Sequence, residues 1–286
     1  MEKKIKTSLV FIFLASLIVP LSALAHQPRI VGNGPVIVTE PEISKAYYGQ
    51  LNGEPQSFTV SSDKPFHLYV NVLVPDIAGQ KKDVSAAVIK DGNVQAPIAT
   101  LDGINYEWKK FFEPFGHDTY WMGPEYRADA GPGTYEIRVW SSSNDSKYSL
   151  AIGETEAFGF KEGLNALALI PQLKQNFFNE SPANFILSPF GYGEIIVLYL
   201  LAAIFGFVYR AILKRFAKNT PRGLYKNIGK SDRVARAAIG AILIVLAITT
   251  SWNPIIIFLS GFCFFEAVFS WCGFYAAIGK NTCPIE

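Results

Sequence analysis

Two kinds of hydrophobic pattern divide the chain near residue 157. From Arg29 to about Glu156, short runs with apolar residues at alternate positions are separated by turn residues such as those at 131–133. In the run YEIRV at 135–139 the polar side chains share one face and the apolar ones the other, as in a strand with one solvated face. About seven or eight such strands in roughly 125 residues predict an all-β sandwich or jelly roll over residues 26–156.

A helical spacing replaces the alternation in residues 157–190. The apolar positions that recur at this spacing are Leu164, Leu167, Ile170, Leu173 and Phe177. They predict a juxtamembrane helical segment, which Pro171 is expected to divide into two short pieces. Two interpretations remain open, a helix lying in the outer leaflet and a helix packed on the β domain.

Three long apolar runs follow, at 195–213, 234–250 and 254–278, and they predict three transmembrane helices. The first helix is placed at 191–213, and the other two form a hairpin because only residues 251–253 separate them. Eight basic residues and a single acid, Asp232, lie at 214–236. The excess of Lys and Arg on cytoplasmic loops therefore makes 214–233 a cytoplasmic loop and puts the carboxyl end in the cytoplasm.

The first 25 residues have the pattern of a signal peptide. Three lysines within the first six residues precede an apolar run at 9–24, and a small-residue pattern ends at Ala25. Cleavage would leave His26 first, and an uncleaved N-terminal anchor is the alternative. Either way, the β domain is expected in the periplasm of a bacterium, with the helices in its inner membrane.

Composition agrees with a membrane protein. Charged residues make up 17% of the chain, below the roughly 25% of soluble domains. Residues 26–190 carry 13 basic and 19 acidic side chains, whereas residues 191–286 carry 10 and 4. The acidic β domain argues against nucleic acid as a partner. All three cysteines lie in the last 24 residues, so the β domain does not depend on disulfides.

An aromatic-rich stretch at 106–126 is the candidate binding region of the β domain. The candidate residues are Trp108, Phe112, His117, Tyr120 and Trp121, on a loop that could offer rings to a protein or a glycan. The commoner alternative is a packed loop whose rings fill one end of the sandwich. With His26 and His67 the only other histidines, His117 and Asp118 do not predict a metal site. No catalytic constellation, metal or cofactor is predicted, and the protein is not expected to be an enzyme.

Residues 133–139 and 147–153 resemble the last hairpin of the bacterial pre-peptidase C-terminal domains. Those domains are secreted jelly rolls that serve as accessory, non-catalytic modules of unrelated proteins. The resemblance implies that Tyr148 and Leu150 are core residues, and it supports the fold more than any function.

From Asn227 onward the chain resembles the YgaP-like transmembrane domain family. The matching positions are Asn227-Ile228-Gly229, Asp232-Arg233, Arg236, Gly240, Cys272, Tyr275 and 279–283. The resemblance implies a small membrane hairpin, often a dimer and sometimes fused to a sulfur-transferring rhodanese domain. This chain has Gly273 where proline usually follows the cysteine, and it has no rhodanese domain. A sulfur-linked role therefore does not transfer from the family.

The hairpin contains five candidate membrane-site residues, Arg233, Arg236, Glu266, Cys272 and Cys283. The two arginines share a helix face near the cytoplasmic interface and could equally be charge anchors. Glu266 lies within the third apolar run, where it could be either a functional acid or a packing residue. Cys272 and Cys283 could meet if the chain turns back at Gly279 and could then form a thiol relay. The alternative is that one fills space as a small apolar residue and the other is a free thiol.

A stripe of small and polar residues on the third run predicts a helix–helix contact and a possible homodimer; it consists of Leu259, Cys263, Glu266, Ser270, Gly273 and Ala277. Together these features predict a bilayer-embedded protein that presents a non-catalytic periplasmic β domain to a protein or glycan. The alternative is a small transport or thiol/sulfur-linked membrane unit centred on the hairpin.

Overall fold

The computed structural model describes residues 26–216 and 226–283. The expected signal peptide and residues 217–225 of the expected basic loop lie outside these residues. The chain divides into two compact units, Met1–Asn179 and Glu180–Glu286, and each is described by itself.

The first unit contains eleven strands in two sheets among its described residues. The six-stranded sheet has the order β1-β3-β11-β5-β9-β8 and the five-stranded sheet the order β2-β4-β10-β6-β7. The strands are β1 (Gln27–Ile30), β2 (Val36–Val38), β3 (Lys45–Gln50), β4 (Gln56–Ser62), β5 (Phe66–Pro75), β6 (Ser85–Lys90), β7 (Ala99–Leu101), β8 (Lys109–Glu113), β9 (Asp118–Ala130), β10 (Gly133–Trp140) and β11 (Lys147–Ile152). The β1–β3 and β2–β4 pairs are parallel, and the other pairs are antiparallel.

One hydrophobic core is shared by both sheets. Val72 and Leu150 enter it from the six-stranded sheet, and Val88 and Ile137 from the five-stranded sheet, all with no solvent exposure. Burial of each such side chain contributes about 1.5–3 kcal/mol. Tyr148 is also fully buried, so the expectation that Tyr148 and Leu150 are core residues is confirmed.

A single helix, α1 (Phe160–Asn176), covers the outer face of the six-stranded sheet. The expected division at Pro171 is wrong, because the helix runs through this residue without a break. Leu173 and the two following phenylalanines, Phe177 and Phe178, pack on Tyr69 and Tyr120 of the sheet. This packing offsets the backbone hydrogen bond that a proline cannot donate. The structure therefore agrees with the interpretation in which the helix packs on the β domain, and not with a helix lying in the outer leaflet.

The second unit is helical. A short 3₁₀ helix (Pro182–Leu187) precedes α2 (Pro189–Phe216), α3 (Lys230–Thr250), α4 (Pro254–Phe269) and α5 (Gly273–Ile278). Two helices, α2 and α3, are long and apolar enough to span a membrane. A third span is not confirmed, because α4 has 16 residues and ends at Ser270, which adopts a left-handed conformation. At 1.5 Å per residue α4 is about 24 Å long, short of the roughly 30 Å hydrocarbon core.

Helix α4 packs against both α2 and α3. The Ser260 hydroxyl of α4 lies 2.8 Å from the Gly240 carbonyl oxygen of α3, to which it donates. The same hydroxyl lies 2.8 Å from the hydroxyl of Tyr199 on α2. One member of the predicted stripe, Glu266, is also buried and pairs with Arg236 inside one chain. The homodimer stays a prediction.

Candidate functional site

The aromatic stretch expected to be a loop is mostly a pair of antiparallel strands, β8 and β9. Residues 114–117 connect them, and His117 has a positive φ of 59°. The Glu113 carboxylate closes this turn by accepting hydrogen bonds from the backbone N–H groups of Phe115 (2.8 Å) and Gly116 (2.6 Å). Burial raises the pKa of Glu113, and these two hydrogen bonds oppose the rise. The turn is thus a structured element.

The candidate rings on β9 point to opposite faces of the sheet, as side chains alternate along a strand. Tyr120 is 3% exposed and faces α1, with its ring centroid 5.2 Å from that of Phe178. Its hydroxyl lies 3.0 Å from the hydroxyl of Tyr48, and burial raises its pKa. The next residue, Trp121, packs on the core between the sheets. These two residues therefore do not form one binding surface.

Both candidate tryptophans are fixed by polar contacts. The Trp108 indole N–H donates to the Gly103 carbonyl oxygen at 2.7 Å. The Trp121 indole N–H donates to the Asp76 carboxylate at 2.8 Å, and the Lys82 ammonium lies 3.8 Å from the Trp121 ring centroid. A hydrogen bond from Lys110 is the main reason that the pKa of Asp76 is lowered. Both rings are half-buried and held within the domain.

Two exposed rings of the aromatic stretch lie on the outermost strand of the six-stranded sheet, and exposed Tyr106 precedes that strand. Phe111 is 39% exposed and Phe112 is 49% exposed. The His117 ring is exposed and stands edge-on to Phe112, with centroids 5.0 Å apart. We call these three residues, with the free side of β8, the β8 edge. The structure brings Phe112 and His117 together and separates them from Trp108, Tyr120 and Trp121.

A buried ion pair lies behind the β8 edge. The Lys174 ammonium of α1, which is fully buried, binds the Asp118 carboxylate at 2.5 Å and donates to the His117 carbonyl oxygen at 3.0 Å. Within the described ranges no group of three His, Cys, Asp or Glu side chains could hold a metal ion. The ion pair of Asp118 with Lys174 therefore joins β9 of the sheet to α1. Sequence reasoning missed Lys174, which lies seven residues after Leu167 and four after Ile170 and so shares the buried apolar face of α1.

Three of the five candidate membrane-site residues meet in the helical unit. The Arg236 guanidinium of α3 pairs with the Glu266 carboxylate of α4, which is 4% exposed. The buried Cys272 thiol lies within electrostatic reach of the same carboxylate. Arg233 lies one turn before Arg236, and its Nε donates to the Ala267 carbonyl oxygen at 2.7 Å.

The chain does turn back at Gly279, where φ is 71°, but the two terminal cysteines are not joined. Cys272 is buried and is the N-cap residue of α5. Its sulfur accepts a hydrogen bond from the Tyr275 backbone N–H at 3.5 Å. Cys283 is partly exposed, and its backbone N–H is bound by the Asn281 side chain. Both are free thiols in the described chain.

Asn227 organises this end of the helical unit, and sequence reasoning did not single it out. Its side-chain amide donates to the Cys272 carbonyl oxygen at 2.8 Å, and its side-chain oxygen accepts the Cys272 N–H at 2.7 Å. Its backbone binds Ser270 and Thr282, so it joins three segments. At Gly229 a Cβ atom would lie 2.4 Å from the Thr282 carbonyl oxygen, which explains the glycine. The family motif contained both residues, but motif spacing does not reveal contacts.

The two units define a membrane-type protein with an attached β domain. Residues 224–286 match the family model described as inner membrane protein YgaP-like, transmembrane domain, which confirms the resemblance found in the sequence. Among curated proteins no relative matches the chain.

Solved structures give weak likenesses. The pre-peptidase C-terminal domain of a collagenase from Bacillus anthracis is 10% identical, with 46% of this chain and 98% of that chain covered and a TM-score of 0.25. CorA, a surface-associated copper-binding protein of Methylomicrobium album BG8, is 9% identical, with coverage of 45% and 100% and a TM-score of 0.23. A β-glucosidase from Paenibacillus barengoltzii is 10% identical, with coverage of 46% and 14% and a TM-score of 0.21. Likenesses this distant carry no argument about function.

Proposed function

We propose that this chain is a bacterial inner-membrane protein that presents its β domain in the periplasm, where the β8 edge binds a protein partner. The observation that carries the proposal is the exposure of two phenylalanines on the last strand of a sheet. An edge strand has a row of backbone N–H and C=O groups that another strand can pair with. Exposed rings beside such a row favour strand addition by an extended segment of a partner.

A protein partner fits the edge better than a glycan. Among the candidate residues, Trp108, Tyr120 and Trp121 carry an aromatic ring with a hydrogen-bond donor, a combination that suits hydrated, polar ligands such as glycans. These three are packed or covered, whereas Phe111, Phe112 and His117 are exposed beside the free strand edge; Tyr106, which is also exposed, precedes the strand. Exposed Lys109 on the same strand favours a partner segment that carries acidic residues, whereas Lys110 is paired with Asp76.

The experiment places a photo-crosslinking amino acid at position 112 of the full-length protein in intact cells. A matched probe goes to position 160, because Phe160 is 84% exposed but lies on α1, away from the edge. The expected result is a defined protein adduct at position 112 that is absent at position 160. Loss of this adduct in Phe111→Ser would support the edge as the site. Equal adducts at both positions, or binding of a glycan in place of a protein, would contradict the proposal.

The proposed topology puts the amino-terminal domain outside, three helices across the membrane and the carboxyl end in the cytoplasm. Its support is the basic charge at the end of α2, from Lys214 and Arg215, and at the start of α3, from Lys230 and Arg233. A variant that keeps only Cys283 should react with a membrane-impermeant maleimide after permeabilisation only. Labelling of intact cells would rule out this topology.

A second candidate is a small transport or thiol-linked unit, favoured by the meeting of Arg236, Glu266 and Cys272. It predicts that Cys272→Ala or Glu266→Gln removes a cellular phenotype of gene deletion, whereas removal of the β domain does not. The β8 edge proposal predicts the reverse dependence.

A further inference from the structure

Two basic side chains lie over one aromatic ring at the end of the helical unit where α3 begins. The Lys280 ammonium lies 4.6 Å from the Tyr275 ring centroid, and the Arg236 guanidinium carbon lies 5.2 Å from it. Arg233 is three residues before Arg236, so both arginines lie on the same side of α3. We call Arg233, Arg236, Lys280 and Tyr275 the Tyr275 cluster.

The charges of this cluster do not balance. Arg236 pairs with Glu266 and also lies in the field of Asp232, whose carboxylate binds the Thr282 hydroxyl. Among the described residues, Arg233, Arg236 and Lys280 against Asp232 and Glu266 leave one positive charge. In addition, the Nε of Arg236 is buried and has no hydrogen-bond partner among these residues. Buried donors in folded proteins almost always have an acceptor, so an oxygen acceptor is the group that this place lacks, and the surplus positive charge favours an anionic one.

The depth of the cluster indicates where that oxygen comes from. Arg233 and Arg236 lie about 5 and 9 Å along α3 from its first residue, Lys230, at 1.5 Å per residue. In a spanning helix this is the level of the lipid headgroups and the upper acyl chains, where basic side chains contact phosphates. We propose that the Tyr275 cluster binds the phosphodiester of an anionic phospholipid headgroup. A phosphodiester carries one negative charge, which matches the unbalanced charge.

The proposal is tested on the full-length protein by native mass spectrometry, with phosphatidylglycerol and phosphatidylcholine added at equal concentration. The expected result is retention of phosphatidylglycerol in preference to phosphatidylcholine. Lys280→Gln should weaken that binding about fivefold, the equivalent of about 1 kcal/mol for one basic side chain near a lipid surface. Lys280 is exposed, so the variant should fold, and Lys280→Arg should restore binding.

The matched control is Lys226→Gln, which removes the same charge from an exposed residue just before Asn227. Its binding should equal that of the unmodified protein. Equal losses in Lys226→Gln and Lys280→Gln would mean a diffuse surface potential and would overturn the proposal. Equal retention of both lipids would also overturn it. Displacement of phosphatidylglycerol by millimolar inorganic phosphate would assign the site to a free anion instead.

Discussion

The β domain and the helical unit differ in how much of their apolar surface is buried. In the β domain Val72, Val88 and Leu150 are fully buried. In α2 and α3 only 11% of the most apolar stretch of each helix is buried, and the interior holds polar residues such as Asn227, Ser260 and Glu266. The difference shows what the surroundings require. Water drives apolar groups inside, whereas hydrocarbon lets them stay outside and makes polar groups seek one another.

Each unit nonetheless contains one buried ion pair, and the two pairs differ in their access to solvent. Lys174 and Asp118 have side chains 0% and 5% exposed, while Arg236 and Glu266 are 20% and 6% exposed. The Lys174 ammonium is fully buried, whereas the Arg236 guanidinium is partly exposed. Breaking each pair therefore tests the comparison directly.

The largest effect is expected from Asp118→Leu. It leaves the Lys174 ammonium without its buried partner, which costs about 3–5 kcal/mol. Because Lys174 belongs to α1, the loss should appear as faster hydrogen exchange of α1 amides in the full-length protein. The double variant Asp118→Leu with Lys174→Met should recover most of the protection, since no charge is left buried. Unchanged exchange in the single variant would show that the pair does not hold the helix.

Glu266→Leu should cost less, about 1–3 kcal/mol, because Arg236 can extend its guanidinium toward the headgroups. The measurement is the thermal unfolding temperature in phospholipid-containing micelles. Adding Arg236→Met should restore part of the loss. A penalty as large as that of Asp118→Leu would show that Arg236 is held as deeply as Lys174.

Asn227→Ala removes two side-chain hydrogen bonds to Cys272, at about 1–3 kcal/mol for the groups left without partners. The buried thiol should then react faster with a permeant maleimide, measured in a protein that keeps only Cys272. Asn281→Ala, in the tail, is the control and should leave the rate unchanged. Equal rates in both variants would contradict the role given to Asn227.

The smallest effect concerns exposed His67. A hydrogen bond to Asp129 is the main reason that its pKa is raised. Its stabilising contribution is therefore complete below the unfolded value of about 6.5 and disappears as pH rises through the higher folded value. The unfolding temperature of the β domain should fall more between pH 6 and pH 8 than in His67→Gln. Asp129→Asn should behave like His67→Gln, and a steeper fall in either variant would reverse the assignment.

Much of the β domain followed from its sequence, because strands such as β10 have one wet face and a regular alternation. The strand β9 could not be predicted from its sequence, although it is 13 residues long. Its alternation is interrupted by Gly123 and Pro124, where the register against β5 shifts. The Asn71 side chain donates to both of their carbonyl oxygens and repairs the ladder there. These hydrogen bonds come from a strand about 50 positions away, so the sequence around Gly123 and Pro124 gives no indication of them.

The candidate sites were predictable to different degrees for a similar reason. Glu266 stood out because an acid within an apolar run needs a partner, and the partner proved to be Arg236. The choice among the aromatic residues required knowing which face of β9 each ring occupies. Likewise, the end of the third run at Ser270 depends on contacts with Asn227, 43 positions away in sequence, and not on its own hydropathy.

The order in which Arg236 and Glu266 leave the ribosome bears on how the helical unit is made. Arg236 emerges first, and only residues 251–253 separate its helix from α4. When Glu266 reaches the insertion machinery, its counter-ion is already at hand. Glu266 can thus enter the bilayer beside its counter-ion, without α4 inserting an unpaired carboxylate. We expect membrane insertion, as well as stability, to depend on this pair.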